Sequence, residues 1–334
     1  MPVIVRQRYA KNRDFYVHLQ KTIEPVEACE RVCYGRQCIT LKLNRMAKFK
    51  PYSINVGGRL VEISRPMVMG ILNVTPDSFY AESRCGTDEE AIAVRVSAMV
   101  SEGVDMIDVG GYSSRPGADE VSAEEELCRL RMGISVVRRL APGMVISVDT
   151  FRADVARRCI EDFGAHIVND ISGGDLDPEM FETVASLKVP YVLMHMRGTP
   201  ATMSGLTDYG DVTADVIGQL ASKVSRLRLL GVNDVIVDPG FGFSKTLQQN
   251  YELMRNLEVF AALDAPLLVG VSRKSMIYRL LGITPEAALN ATTALHAMAL
   301  SKGAHILRVH DVAQAVEAVK IVGAVTGEYD MTCK

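Results

Sequence analysis

The chain has 334 residues, 48% of them apolar and 23% charged, with a formal net charge of −3. That balance describes an ordinary folded protein with a sizeable core, and it excludes nucleic-acid binding through overall positive charge. No run approaches the roughly 18 consecutive apolar residues of a membrane helix, and the N-terminus lacks the apolar segment of a secretory signal.

The first 45 residues stand apart. They hold nine Lys or Arg (positions 6, 8, 11, 13, 21, 31, 36, 42 and 45) against four acids (14, 24, 27 and 30), with no sustained apolar period. A basic, loosely ordered extension is expected over 1–45, followed by a single domain over 46–334. Met46 is then the expected start of the folded unit or of translation; a full-length intact mass of the natural protein would exclude initiation there. The seven cysteines, at 29, 33, 38, 85, 128, 159 and 333, are odd in number and scattered, which predicts reduced cytoplasmic thiols rather than a disulfide framework. Cys29, Cys33 and Cys38 cluster, but their spacing is not that of a paired zinc site.

"YSINV" and "LVEIS" around Gly57-Gly58 alternate as a short hairpin does. From residue 67 a different rhythm sets in. The runs "MVMGILN", "MIDVG", "MVISVD", "HIVND", "YVLMHM", "VIVD", "PLLVGV" and "HILRVH" are continuously apolar until their last residues. Such strands are buried on both faces, the mark of a parallel sheet. Stretches of helical period, such as "DEEAIAVRVSAMVSEG" and "RADVARRCIEDFG", separate them. Eight such units in about 260 residues predict a (β/α)8 TIM barrel carrying an N-terminal hairpin. No G-x-G-x-x-G follows the first strand, against a dinucleotide-binding open sheet.

In a barrel, reacting groups gather at the C-terminal strand ends. Here those ends read Asn73, Asp108, Asp149, Asn169-Asp170, Met194-His195-Met196, Asp238, Ser272-Arg273-Lys274 and Arg308-Val309-His310. Any one of them is explained equally well as a helix cap or turn former. Eight together describe a polar bowl. Asp149, Asp238 and Asn169 offer acceptors for the N–H edge of a guanine-like or pterin ring, with Lys274 for a ring carbonyl or nitrogen. Arg115, Arg308 and His310 form a cationic corner suited to phosphate or diphosphate. "NVTPDSFYAES" and "GGYSSRPGA" supply two long loops over the mouth. Met194 and Met196 are expected to face opposite ways, one into the bowl and one into the core. His166, His195, His296 and His305, set in apolar runs, read as satisfied core histidines.

The motifs "MGILNVTPDSF", "SSRPGA", "SVDT", "VNDISGG", "LMHMRGTP", "DPGFGF", "GVSRKS" and "LRVHDV" occur in order from about Met67 to near Val325, and together they resemble the dihydropteroate synthase family of the folate pathway. The resemblance implies a homodimeric, Mg²⁺-using TIM-barrel transferase. The family joins 6-hydroxymethyl-7,8-dihydropterin diphosphate to 4-aminobenzoate with release of diphosphate, and sulfonamides compete for the aminobenzoate position. Carried onto this sequence, it implies that Asp149, Asn169, Asp238 and Lys274 bind the pterin, with Met194 on the ring. Asn73 is implied as the Mg²⁺ and diphosphate ligand, and Arg308, His310 and Arg115 as the diphosphate anchor. Ser114, Pro116, Phe243 and Ser272, with Lys274 beside them, are implied as the aminobenzoate pocket. Asn73, Arg115, Lys274, Arg308 and His310 make up the catalytic set on this reading. The chain departs from the family pattern in the first loop, where Tyr80 stands and a glycine pair is missing. In the second, Tyr112 stands where an acid is common, and Ser114 where threonine is. A pterin-binding methyltransferase barrel would share the pterin residues but has no diphosphate to hold, so "SSRPGA" and "RVH" favour the synthase. A barrel that only binds pterin would have lost such residues.

Overall fold

A computed structural model of the chain describes residues 4–7, 15–18, 29–34, 37–42, 49–75, 89–112 and 121–327. The chain divides into two compact units, Met1–Met46 and Ala47–Lys334. In the first, strands β1 (Ile4–Gln7), β2 (Phe15–His18), β3 (Cys29–Tyr34) and β4 (Gln37–Lys42) pair antiparallel in chain order, in a stretch where composition alone named no element. Met46 lies outside the described residues.

The second unit opens with the expected hairpin, β5 (Tyr52–Val56) and β6 (Arg59–Ile63). Gly57 and Gly58 both take positive φ, the backbone a two-residue hairpin turn requires. The hairpin's inward side chains, Ile54, Val56 and Ile63, are buried in one cluster with Met67, Met69, Met106, Val145, Ile167 and Ile306 from the start of the barrel strands. The hairpin therefore stoppers the N-terminal end of the barrel with apolar surface. The opposite end is left for polar groups.

The barrel strands are β7 (Met67–Asn73), β8 (Met106–Gly110), β9 (Val145–Asp149), β10 (Ile167–Asp170), β11 (Tyr191–Met194), β12 (Val235–Asp238), β13 (Leu268–Val269) and β14 (Ile306–Val309). All neighbours are parallel, in the order β12-β11-β10-β9-β8-β7-β14-β13. A parallel bridge between Val237 and Leu267 joins the two ends, and the Val237 N–H donates to the Pro266 carbonyl at 2.9 Å. Closure removes both sheet edges.

Helices fill the connections: α1 (Glu89–Ser101), α2 (Ala123–Leu140), α3 (Ala153–Glu161), α4 (Met180–Leu187), α5 (Val212–Leu229), α6 (Leu247–Arg255), α7 (Ser275–Leu281), α8 (Leu289–Ser301) and α9 (Val312–Thr326). Three of their starts are capped by a short oxygen side chain, whereas Asp311 at the start of α9 gives its carboxylate to Arg273 instead. Ser122 accepts from the Glu125 N–H, Asp211 from the Ala214 N–H, and Thr246 forms a reciprocal box with Gln249. Outward strand residues such as Val68, Leu72, Val109, Val148 and Leu307 pack with these helices in the main core. Alternation then decides which side chains enter the barrel: Ile71 and Asn73, Asp108, Ser147 and Asp149, Asn169, Met194, Asp238, and Arg308 and His310. Among the described residues no helix is long and apolar enough to cross a membrane.

Candidate active site

Above the apolar plug, the inward residues build a polar network across four strands. Asp108 on β8 is fully buried. Its Oδ2 accepts from Asn169 Nδ2 on β10 at 2.9 Å and from Arg308 Nε on β14 at 2.7 Å. The same guanidinium donates through Nη2 to Asp149 Oδ2 on β9 at 2.6 Å. Arg308 thus holds two carboxylates, and its proton is more firmly bound than usual: Asp108 and Asp149 outweigh the opposing effect of burial. Burial pushes Asp149 up to about 7, with the Asp108 charge adding to it and Arg308 only partly offsetting them.

Asp238 ends β12. Its Oδ1 accepts the Gly240 N–H at 2.7 Å, and its other oxygen faces the cavity beside Gly270. A Cβ on Gly270 would stand 3.9 Å from Asp238 Oδ2, from Lys274 Nζ and from Arg308 Cβ, so the missing side chain leaves open the space on which these groups converge. Lys274, just before α7, donates to the Phe241 carbonyl and lies 4.6 Å above the Phe243 ring. Burial lowers the lysine to about 8 against the opposing pull of Asp238, and burial also raises Asp238.

The pocket so formed, about 250 Å³, is lined by Asn73, Tyr112, Asp149, Asn169, Met194, Asp238, Phe243, Ser272, Lys274, Arg308 and His310, among others. Ten of the thirteen residues singled out from the sequence therefore meet in one cavity. The other three, Ser114, Arg115 and Pro116, lie outside the described residues. Asn73 and Asp149 flank Gly110: a Cβ there would lie 3.4 Å from Asn73 Oδ1 and 3.8 Å from Asp149 Oδ2. Ser272 Oγ accepts the His310 N–H at 3.2 Å.

Two electrostatic details differ from the sequence picture of a cationic corner. Burial, reinforced by Arg308, lowers His310 to about 4, so at neutral pH it is an uncharged imidazole. Arg308 spends its charge on the pocket floor, against Asp108 and Asp149. Met194 and Met196, expected to face opposite ways, share one apolar cluster with Ile171, Met203 and Phe243. Residues two apart on an extended chain point to the same side.

Sequence reasoning set Asp108 and Asp170 alike among the strand ends of the bowl, with no role for either, and did not assign Tyr112 to the site. Strand parity carries the signal for Asp108, which lies an even step from Met106 and Gly110 on β8, whereas Asp170 lies one step from Asn169 and turns outward. Asp170 accepts from Ser172 N–H and Oγ, both at 2.7 Å, from Gly174 N–H at 2.8 Å and from Tyr191 Oη at 2.7 Å. It braces a loop and not the pocket. Tyr112 meets Phe151 edge-on, ring centroids 5.2 Å apart, and Arg152 lies over both rings while pairing with buried Glu126. The sequence gives no signal for that contact. His166 and His305 behave as read: His166 Nδ1 accepts from Ile146 N–H at 3.0 Å, and His305 Nδ1 from Leu267 N–H at 3.1 Å. Buried His296 does not, since its Nε2 has no hydrogen-bond partner among the described residues.

A profile of the pterin-binding enzyme family matches residues 69–310. A dihydropteroate synthase of Escherichia coli K12 is 45% identical over 273 residues, covering 80% of this chain and 94% of the relative. The structure of a Xanthomonas albilineans dihydropteroate synthase with 4-aminobenzoic acid superposes with a TM-score of 0.76 at 37% identity, over 83% of this chain and 98% of the other. That enzyme in complex with 7,8-dihydropteroate gives 0.73 at 35% identity, over 82% and 98%. With the barrel, the converging strand ends and these likenesses together, the chain belongs to the pterin-binding enzyme family and, within it, to the transferases called dihydropteroate synthases.

Proposed function

We propose that the floor of this pocket binds the pterin ring of 6-hydroxymethyl-7,8-dihydropterin diphosphate, and that 4-aminobenzoate enters on the Phe243 side. The observation that carries this reading is the convergence of Asp149, Asn169, Asp238 and Lys274 around the space above Gly270. Carboxylate and amide acceptors there match the N–H edge of a pterin, and Met194 supplies an apolar face. The likenesses support it: the Xanthomonas enzyme binds 4-aminobenzoic acid and 7,8-dihydropteroate.

The reaction on this reading is a dissociative substitution. The C–O bond to diphosphate breaks with its electron pair leaving on oxygen, and the dihydropterin ring shares the positive charge left on the exocyclic carbon. The neutral amine of 4-aminobenzoate then forms the C–N bond and gives up a proton to solvent. No strong base is needed before attack, which suits a pocket whose imidazole is already neutral and whose carboxylates are held by Arg308. On this reading Asn73, His310 and Arg308 face the departing group, with Arg115 as the further member of that anchor.

Among the described residues no cluster of three His, Cys, Asp or Glu side chains is placed to cage a metal ion. Asn73 Oδ1 at the rim would offer Mg²⁺ one neutral oxygen ligand, leaving its other positions to diphosphate and water. When bound, Mg²⁺ neutralises charge on the leaving group. The deciding experiment incubates the protein with pterin diphosphate, 4-aminobenzoate and Mg²⁺ and measures diphosphate release. Release that needs both aminobenzoate and metal supports the reading; bound pterin diphosphate without release leaves a binding protein. Asn73→Ala is expected to slow turnover by roughly 10²-fold with an unchanged melting temperature, and an unaltered rate would remove Asn73 from this role.

A pH profile follows from the two buried groups. Pterin recognition needs the Asp149 carboxylate and the Lys274 ammonium together. kcat/KM for the pterin substrate should rise as Asp149 loses its proton at about 7 and fall as Lys274 loses its own at about 8. Asp149→Asn should erase the acid limb and leave the alkaline one; a profile identical to the parent would contradict this assignment.

We also read the protein as a cytoplasmic homodimer. The unpaired thiols of Cys128 and Cys159 support the compartment. Leu280, Leu281, Met298, Ile321 and Val325, exposed on α7, α8 and α9, support the pairing.

A further inference from the structure

Lys245 and His195 form a buried pair under the segment 239–245 between β12 and α6, outside the substrate-facing set. Lys245 is 9% exposed and His195 3%. The lysine Nζ donates to the Gly240 carbonyl at 2.9 Å, to the Phe243 carbonyl at 3.0 Å and to His195 Nδ1 at 3.0 Å. These three acceptors match the three donors of a protonated amine, whose pKa burial pulls well below the usual lysine value. On its far side His195 Nε2 lies 3.1 Å from Gln219 Oε1 on α5. A carbonyl oxygen only accepts, so Nε2 carries the ring proton and Nδ1 is left to receive the lysine. One chain of contacts thus runs from the outer helix α5 through the end of β11 into the loop.

The loop so held presents two groups to the cavity. The Phe241 carbonyl accepts from Lys274 Nζ, and the Phe243 ring lies beneath that same amine at 4.6 Å. Asn250 braces the loop from α6: its Oδ1 accepts the Gly242 N–H at 2.6 Å and its Nδ2 donates to the Lys245 carbonyl at 3.3 Å. Burying an amine costs more than burying an apolar chain of equal length, and its advantage is direction. An apolar chain would fill the space under the loop, whereas three donors fix where two carbonyls and a ring must lie.

We propose that Lys245, with its tautomer-fixed partner His195, is a positioning residue that sets the Phe243 and Lys274 end of the pocket and so governs use of 4-aminobenzoate. This rests on the assignment of that end to 4-aminobenzoate, and Phe243→Ala in the full chain tests the assignment separately. In Lys245→Met, the KM for 4-aminobenzoate should rise and kcat fall, each roughly tenfold, while the Kd for pterin diphosphate moves less than about threefold. Gln219→Leu releases the far end of the contact chain without emptying the core. It should raise the same KM by roughly threefold at an unchanged melting temperature. If Phe243→Ala leaves the aminobenzoate KM untouched, the assignment of the pocket end fails, and the proposal with it. If Phe243→Ala raises it but Lys245→Met only lowers the melting temperature, with KM and kcat unaltered, the lysine serves folding alone and the proposal is overturned. Should Lys245→Met not fold, Gln219→Leu decides: a raised KM supports the positioning role and an unaltered one overturns it.

Discussion

Arg308→Met is expected to lower kcat/KM roughly 10²- to 10³-fold and to cost about 3–5 kcal/mol of stability. The residue sits where β14 passes β7, and its guanidinium spans the barrel to Asp108 and Asp149. Methionine keeps most of the stem and removes the charge, leaving two buried carboxylates facing each other. The cost should therefore depend on pH. In the parent protein Asp149 is raised from the usual carboxylate value to about 7, so the folded form holds a proton that the unfolded chain has released, and this group's contribution to stability falls as pH rises through that window. Without Arg308 the window extends higher. Denaturant unfolding at about pH 5, 7 and 8.5 should show the gap between parent and variant widening as pH rises. Adding Asp108→Asn to Arg308→Met should recover stability without activity, since it removes the repulsion and does not restore the cation. A gap independent of pH would mean that the guanidinium does not hold these carboxylates.

The barrel was legible because it depends on burial on both faces of each strand. The apolar runs announced β7, β8, β9, β10 and β12 to within a residue or so. "PLLVGV" was less faithful, yielding a ladder of only Leu268–Val269. Pro266 has no N–H to donate and gives only its carbonyl to Val237, so the last join of the barrel is a bridge rather than a ladder. The site was legible as a set of residue types but less so as a charge distribution. That Asp108 faces in and Asp170 out follows from parity alone. That Arg308 is claimed by two acids, and that His310 is uncharged, depends on strand order and burial, which no single segment reports. Lys245 lies in the chain seven residues beyond Asp238, and nothing local tells its amine from the solvated lysines of other loops. Only the approach of His195 from β11 does.

Gly240→Ala is expected to cost about 4 kcal/mol or more, a loss confined to a few specific causes such as backbone strain or collision. Gly240 adopts φ +71°, and a Cβ there would stand 1.9 Å from the His195 carbonyl oxygen and 3.0 Å from its carbon. The obstruction is backbone, so a rotamer change cannot relieve it. Either β11 or the loop must move, and the loop carries the Phe243 ring and the carbonyl that Lys274 holds. Gly282→Ala is the matched control. Gly282 ends α7 at φ +65°, with nothing within 4 Å of its added Cβ, so it carries only the left-handed penalty of about 1–2 kcal/mol. The difference between the two variants in denaturant unfolding isolates the collision with His195. Gly240→Ala should also lose aminobenzoate turnover under conditions where it remains folded, whereas Gly282→Ala should keep it. Equal stability losses in the two would mean that the loop yields to an added methyl, and that its close approach to β11 does not fix the position of Phe243.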